Sequence, residues 1–329
     1  MELNIANIEI EPKRHTFGHI AKRFGEDRPA SRYEEAVYDG QATENFHYRP
    51  TYEPEFEIYD VKRTVIKMDD WYKLLDPRKF HYMTYVSTRA NQNAASKRNF
   101  ELIEERLLTQ MIPEDIKEII YNYLTPLRHY FYGVNLNNLS IVSRGYGTAL
   151  NSASLFYASD SLGNSQHLTK IVLLLSDNNV ERLEKGKNDW MNDPKWQPLR
   201  KTLEDIMVVK DPIEILVSQN LILNGLLVPL LITQFSNTLV QNGHITVSLL
   251  TEFISQLQEE SIKWLDSIVK VMAEESEENN NILSKWSKSY LLKADEALAP
   301  LSDYSDNTDI LPQIRLDLEN RLKKIGLKI

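Results

Sequence analysis

The sequence predicts an all-α protein: a bundle of long helices with an extended N-terminal arm and additional C-terminal helices. Three observations predict it. Ile116, Ile119, Ile120, Tyr123, Leu124, Leu127, Phe131 and Val134 recur at i, i+3, i+4 and i+7, which makes one continuous helical face. From Ile213 to Leu239 the chain is apolar nearly all round, the pattern of a helix at the centre of a bundle. No convincing alternation of period two marks a strand, and most periodic stretches are too long for an α/β domain. At 329 residues, with little sign of an internal boundary, the reading is an arm at residues 1–67 and one helical domain at 68–329.

In the arm, Pro12, Pro29, Pro50 and Pro54 prevent long helices. It is also rich in aromatics, among them Phe17, Tyr33, Phe46, Tyr48 and Tyr59. Without periodicity it cannot build a core of its own, and so much free aromatic surface would be poorly soluble. We therefore expect it to pack on a partner subunit. The candidate contacts are Arg14, Phe17, Arg23, Arg32, Tyr33, Phe46, Tyr48 and Arg49, because aromatics and arginines are favoured interface anchors. An arm wrapped on its own chain is the alternative.

From Asp69 to Gln110 the pattern turns helical, with a break at Asp76-Pro77 and a short amphipathic helix from Asn99 to Met111. Pro113, Glu114 and Asp115 open the next helix, with proline early and acids in the first turn. Two long helices follow, from Glu114 and up to Leu175, joined near Arg144 to Thr148. Asp189 to Pro198 breaks the pattern, and its Trp190 and Trp196 plug a bundle end or an interface. A helix from about Leu199 to Val209 leads to Asp211-Pro212, an N-cap and first-turn pair. Behind it lies the apolar helix, then a turn from Gln241 to His244 and a strong stripe from Ser248 to Met272. Acidic and asparagine-rich residues from Glu274 to Asn281 precede a helix through Leu283, Trp286 and Tyr290, and a last helix runs from about Pro312 to Ile325.

Composition narrows the function. A net charge of −9 and a pI near 5.4 argue against nucleic acid or an anionic membrane as the main partner, since both require basic stripes. With no cysteine there are no disulfides, iron–sulfur ligands, thiol nucleophiles or cysteine-bound zinc, which fits a cytoplasmic protein. The first residues lack the apolar core of a signal peptide. The most apolar run, Ile213 to Phe235, is interrupted by Glu214, Gln219, Asn220, Asn224 and Pro229, so a buried helix is expected rather than a membrane span.

The search for chemistry returns weak matches. Glu44 and His47 have Glu-x-x-His spacing but lie in the proline-rich arm, and His15 and His19 lack the glutamate of a zinc protease helix. No Gly-rich phosphate loop and no serine nucleophile elbow occurs. His167, at a core-facing position, reads as a satisfied buried histidine. A carboxylate-bridged di-iron site needs a Glu on each of two bundle helices and a Glu-x-x-His on each of the other two. Here the long helices offer Asn137 or Asn138, Asp160 with Gly163, Asn220, and Glu260 with Lys263. Lysine has no free lone pair at neutral pH, so Lys263 opposes metal and is expected to pair with Glu260 at i, i+3 spacing. These seven positions read as a metal site whose ligands are gone, and no metal is expected in this chain.

The stretches EPKRHTFGHIAKRFG, ASRYEEAVYD, NFHYRP, LRHYFYGVNLNN, WMNDPKWQPLRK and LTEFISQLQEESIKW resemble the β subunits of bacterial multicomponent phenol hydroxylases, of the soluble di-iron monooxygenase family. The similarity reaches from the arm to the final RLKKIGLK. The resemblance implies a ferritin-like fold in an αβγ hydroxylase that pairs into a dimer of trimers. It also implies that the α subunit carries the di-iron centre and aromatic pocket, while β lacks iron ligands. Electrons would come from NADPH through a separate reductase with FAD and an iron–sulfur cluster, and a small regulatory protein would dock on the complex. A structural, non-catalytic subunit is the favoured expectation. The alternatives are the equivalent β subunit of a toluene or alkene monooxygenase, and an autonomous di-iron oxidase assembled from Glu44, Asp160, His167 and Glu260.

Overall fold

The computed structural model describes residues 16–26, 28–41, 49–51 and 53–329. Among them the regular structure is helical throughout, eleven helices and no strand. Two short helices, α1 (Gly18–Phe24) and α2 (Arg32–Val37), precede α3 (Tyr82–Glu105), α4 (Glu114–Arg144) and α5 (Thr148–Leu175). The shorter α6 (Glu181–Asn192) and α7 (Gln197–Met207) lead to α8 (Pro212–Gln241), α9 (Ile245–Glu275), α10 (Glu277–Leu298) and α11 (Ile310–Lys324).

The central bundle is α4, α5, α8 and α9; α5 follows α4 and α9 follows α8 after a short turn, while α6 and α7 intervene between α5 and α8. Between α4 and α5 the chain reverses at Gly145–Gly147. A Cβ on Gly145 would lie 2.7 Å from the Ile141 carbonyl oxygen, and Gly147 takes φ +90°, so glycine is required at both. Asp211 caps α8 by accepting from the N–H groups of Ile213 and Glu214 at 2.9 and 3.2 Å. By length and composition α8 could cross a membrane, yet 94% of its most apolar window is buried inside the protein, against α4, α9, α10 and α11. Its apolarity serves the core.

Two stretches of α8, Leu216–Leu223 and Pro229–Gln234, are wound as π-helix. The wider turn brings successive residues closer to one face than an α-helix does. Gln219 and Asn220 consequently both reach α4.

One boundary differs from the expectation. Residues 82–105 form a single helix, not a short one beginning at Asn99, and Leu108–Met111 is a separate 3-10 turn. The periodicity missed it because α3 buries only Arg89, Phe100 and Ile103. A helix this polar has no stripe to read and is held by a few specific contacts.

The described part of residues 16–67 lies on its own chain, at the α4–α5 turn. Tyr33 and Val37 are buried with Tyr72 and Ala149. The Tyr33 hydroxyl accepts the Asp76 N–H at 2.7 Å, and Gln41 Oε1 accepts the Gly147 N–H at 2.9 Å. Glu53, nearly buried, receives Arg63 and, at 3.1 Å, Arg144. Burial alone would push its carboxyl up, but those two guanidinium groups hold it below the ordinary range.

Candidate functional site

At the bundle centre Asn138 and Asn220 exchange side-chain hydrogen bonds. Asn138 Nδ2 donates to Asn220 Oδ1 at 3.0 Å, and Asn220 Nδ2 donates to Asn138 Oδ1 at 2.7 Å. Both are 0% exposed. Beside them Asn137 Nδ2 donates to Gln219 Oε1 at 2.7 Å, and Gln219 Nε2 donates to Tyr130 Oη and Asn224 Oδ1, each at 3.1 Å. The Tyr130 hydroxyl donates to Asn224 Oδ1, and Asn224 Nδ2 donates to Tyr157 Oη at 2.6 Å. The network joins α4, α5 and α8 with neutral groups. Burial pushes the Tyr157 hydroxyl up to about 12 and that of Tyr130 well above its ordinary value, so both phenols stay protonated near neutral pH.

Asp160 and Glu260 meet elsewhere, where α3 lies across α5 and α9. The guanidinium of Arg89 sits between them. Its Nε and Nη2 donate to Asp160 at 2.8 and 2.7 Å, and Nη1 donates to Glu260 Oε2 at 2.6 Å. Tyr85 Oη donates to Asp160 Oδ1 at 2.8 Å, and Gln92 Nε2 donates to Glu260 Oε1. Arg89 and Asp160 are both 7% exposed, so this is a buried, fully hydrogen-bonded ion pair.

The seven positions proposed from the sequence therefore do not converge on one point. Asn137, Asn138 and Asn220 face the core, and Asp160 and Glu260 face Arg89. Gly163 lies on the outer side of α5, beside a cleft of about 410 Å³ under α3 lined also by Ser159, Gln166 and His167. Lys263 is exposed, and Glu260 pairs with Arg89 across the helices instead of with Lys263 along its own. The tertiary partner wins because it is a two-pronged donor held in a water-poor site. His167 donates from Nε2 to the Leu250 carbonyl at 2.7 Å, and burial lowers its basicity.

Arg89, Tyr85, Gln92 and Tyr130 escaped the sequence reading. The available signal was a mismatch: Asp160, an inward carboxylate with no cation assigned to it.

Of the interface candidates, Trp196 is 1% and Trp190 7% exposed, their rings tilted against each other at 6.1 Å in this chain's own core. Tyr33 is buried, and Arg23 is clasped by Asp39 and Asp70 over the rings of Tyr38 and Tyr72. Those four have little surface left for a partner. Arg32, Arg49 and Phe17 are exposed; Arg14, Phe46 and Tyr48, with His15, Glu44 and His47, lie outside the described residues.

These residues do not fit a di-iron centre. At the bundle centre the donors are neutral amides already bonded to one another, and the carboxylates are engaged by an arginine. Among the described residues no group of three or more His, Cys, Asp or Glu could hold a metal ion. Long helices around a core of mutually bonded amides define a class, the ferritin-like bundle, here with no metal-ligand group among the described residues. The chain belongs to the methane/phenol/alkene hydroxylase family, whose model matches residues 49–276. It is 39% identical to the phenol 2-monooxygenase oxygenase component DmpL of Pseudomonas sp. (strain CF600), over 100% of this chain and 99% of that one. It is 35% identical to the oxygenase component MhpL of Acinetobacter pittii (strain PHEA-2), over 100% and 98%. A chain of the xenon-pressurized phenol hydroxylase crystal structure from Pseudomonas sp. OX1 superposes with a TM-score of 0.93 at 38% identity, covering 99% of each chain.

Proposed function

We propose that this chain is the non-catalytic β subunit of a cytoplasmic multicomponent phenol 2-monooxygenase, which hydroxylates phenol to catechol. In this reading it supports an iron-bearing α subunit and, with a γ subunit, assembles an (αβγ)2 hydroxylase. A separate reductase carrying FAD and an iron–sulfur cluster supplies electrons from NADPH, and a small regulatory protein docks on the complex. The N-terminal segment, through Arg14, Phe46 and Tyr48, adds to the partner contacts.

One observation supports the reading above all. Nearly all the polar groups at the bundle centre bond to one another, Asn138 with Asn220 and the phenols and amides around Gln219 and Asn224, and only the Asn137 side-chain carbonyl oxygen in this network lacks a partner. No lone pair set of the right charge is left for a metal, and no acid or base is poised for proton transfer.

Iron analysis tests it. The chain purified alone is expected to carry no stoichiometric iron and to show no oxygen-dependent turnover of phenol. Co-expressed with its partner subunits, it is expected in an assembly whose iron follows the α subunit. Stoichiometric iron with turnover by the chain alone would overturn the proposal.

A further inference from the structure

The dipeptide Asn-Gly occurs twice in the chain, at Asn224-Gly225 and at Asn242-Gly243. This pair is especially prone to lose the asparagine amide, because a glycine nitrogen has no Cβ beside it to hinder attack on the neighbouring side chain. The two copies stand in opposite surroundings.

Asn224 is sealed in the core. It lies within α8 at 1% exposure, its Oδ1 accepts from Tyr130 and Gln219, and its Nδ2 donates to Tyr157 at 2.6 Å. The backbone beside it is packed as well, since a Cβ on Gly225 would come within 3.3 Å of Leu318. Freeing this side chain and the Gly225 nitrogen requires the core to open, a state that holds about 10⁻³–10⁻⁶ of molecules.

Asn242 ends α8, and it and Gly243 are both exposed. Gly243 takes φ +90° where the chain turns toward α9. Its N–H donates to the Val240 carbonyl at 2.9 Å, and the His244 N–H donates to the Leu239 carbonyl at 2.8 Å. These two bonds close the helix in a Schellman turn. While they stand the Gly243 nitrogen is engaged, so attack waits on fraying of the last turn. Fraying at a helix end costs little free energy, and an appreciable fraction of molecules is open there at any moment.

We infer that the turn between α8 and α9 is a site of spontaneous deamidation, at which Asn242 becomes aspartate and isoaspartate while Asn224 keeps its amide. Water is the co-reactant. The Gly243 nitrogen gives its proton to solvent and attacks Asn242 Cγ; the new C–N bond closes a succinimide ring, and Nδ2 takes up a proton and leaves as ammonia. Water then opens either carbonyl of the ring, giving aspartate on the original backbone or isoaspartate with the chain running through the side chain. Nothing is oxidised or reduced. Either product puts a carboxylate on the last turn of α8, where unpaired carbonyls already concentrate negative charge. Isoaspartate also inserts a methylene into the backbone between α8 and Gly243, which draws the His244 N–H off the Leu239 carbonyl.

The test incubates the full chain, folded, at mildly alkaline pH, digests it under mild acid, and follows the peptide carrying each asparagine by mass spectrometry with fragmentation that resolves isoaspartate. Conversion at Asn242 is expected to run about a hundredfold or more faster than at Asn224 while the chain is folded. In guanidinium chloride the two rates are expected to converge to within about tenfold, because only the flanking sequence then differs. Asn242→Asp, which carries the product's charge from the start, is expected to lower the melting temperature by about 1–3 °C, and Asn242→Gln to remove the modification from this turn. Equal rates at the two positions in the folded chain, whether both slow or both fast, overturn the inference. So does a difference that persists undiminished in guanidinium chloride, because sequence and not structure would then select the site. A melting temperature unchanged by Asn242→Asp overturns the effect assigned to the new carboxylate.

Discussion

The amide pair at the bundle centre can be tested by a double-mutant cycle. Asn138→Ala removes both bonds of the exchange with Asn220, at 3.0 and 2.7 Å, and a third from Asn138 Nδ2 to the Val134 carbonyl. It also leaves the Asn220 amide stranded at 0% exposure. Each net hydrogen bond contributes about 1 kcal/mol, and a stranded buried amide costs about 1–3 kcal/mol, so the single change is expected to cost about 4–6 kcal/mol. Asn220→Ala removes only the two bonds of the exchange and strands Asn138, so it is expected to cost about 3–5 kcal/mol. The double alanine variant strands nothing and loses the shared bonds only once, so it should fall short of the sum by about 4 kcal/mol or more. Asn138→Leu with Asn220→Leu, apolar groups of similar size among leucines and isoleucines, is expected within about 1.5 kcal/mol of wild type. Urea unfolding of the full chain followed by far-UV circular dichroism measures all four. Additive single changes, or a leucine pair as unstable as the two single changes together, would refute the reasoning.

Two further outcomes follow from the buried ionisable groups. Arg89→Ala leaves Asp160 and Glu260 without their cation; it is expected to cost about 3–5 kcal/mol, and Arg89→Lys should not restore a two-pronged contact. Because the N-terminal half of α3 has so few other anchors, limited proteolysis should then cut within Tyr82–Asn99, and wild-type resistance there would count against the role given to Arg89. His129, stacked on Trp190, is pushed down to about 4 from 6.5, first by burial and then by the Arg128 charge. Between those values the unfolded chain binds more protons than the folded one, so stability rises with pH across that window and is lost as pH falls. Burial lowers His167 in the same direction. His129→Gln should therefore flatten the fall in unfolding free energy, measured by urea, from about pH 7 to about pH 4.5, by about 1–3 kcal/mol after allowance for partial exposure; an unchanged slope would rule His129 out as its source.

The sequence by itself determined the elements wherever burial imposes a period. A helix against the core must repeat its apolar residues every three or four positions, so α4, α5, α8 and α9 could be read with their caps, as in Pro113-Glu114 and Asp211-Pro212. Family kinship was legible too, in the strings themselves. The full length of α3 was not, because its buried residues are only Arg89, Phe100 and Ile103, too few to make a stripe.

Only the tertiary structure decided which polar residues meet. Asn138 and Asn220 are 82 residues apart and Arg89 and Glu260 are 171 apart, and helical spacing constrains neighbours a turn away while leaving the rotation of one helix against another open. Spacing therefore favoured Glu260 with Lys263, whereas packing selected Arg89. The same indifference hid Gly163: on a one-dimensional stripe it stood as an empty ligand position, and in three dimensions it lies on the outer side of α5. Periodicity reports that a side chain faces some neighbour; which neighbour depends on the packing of helices distant in sequence.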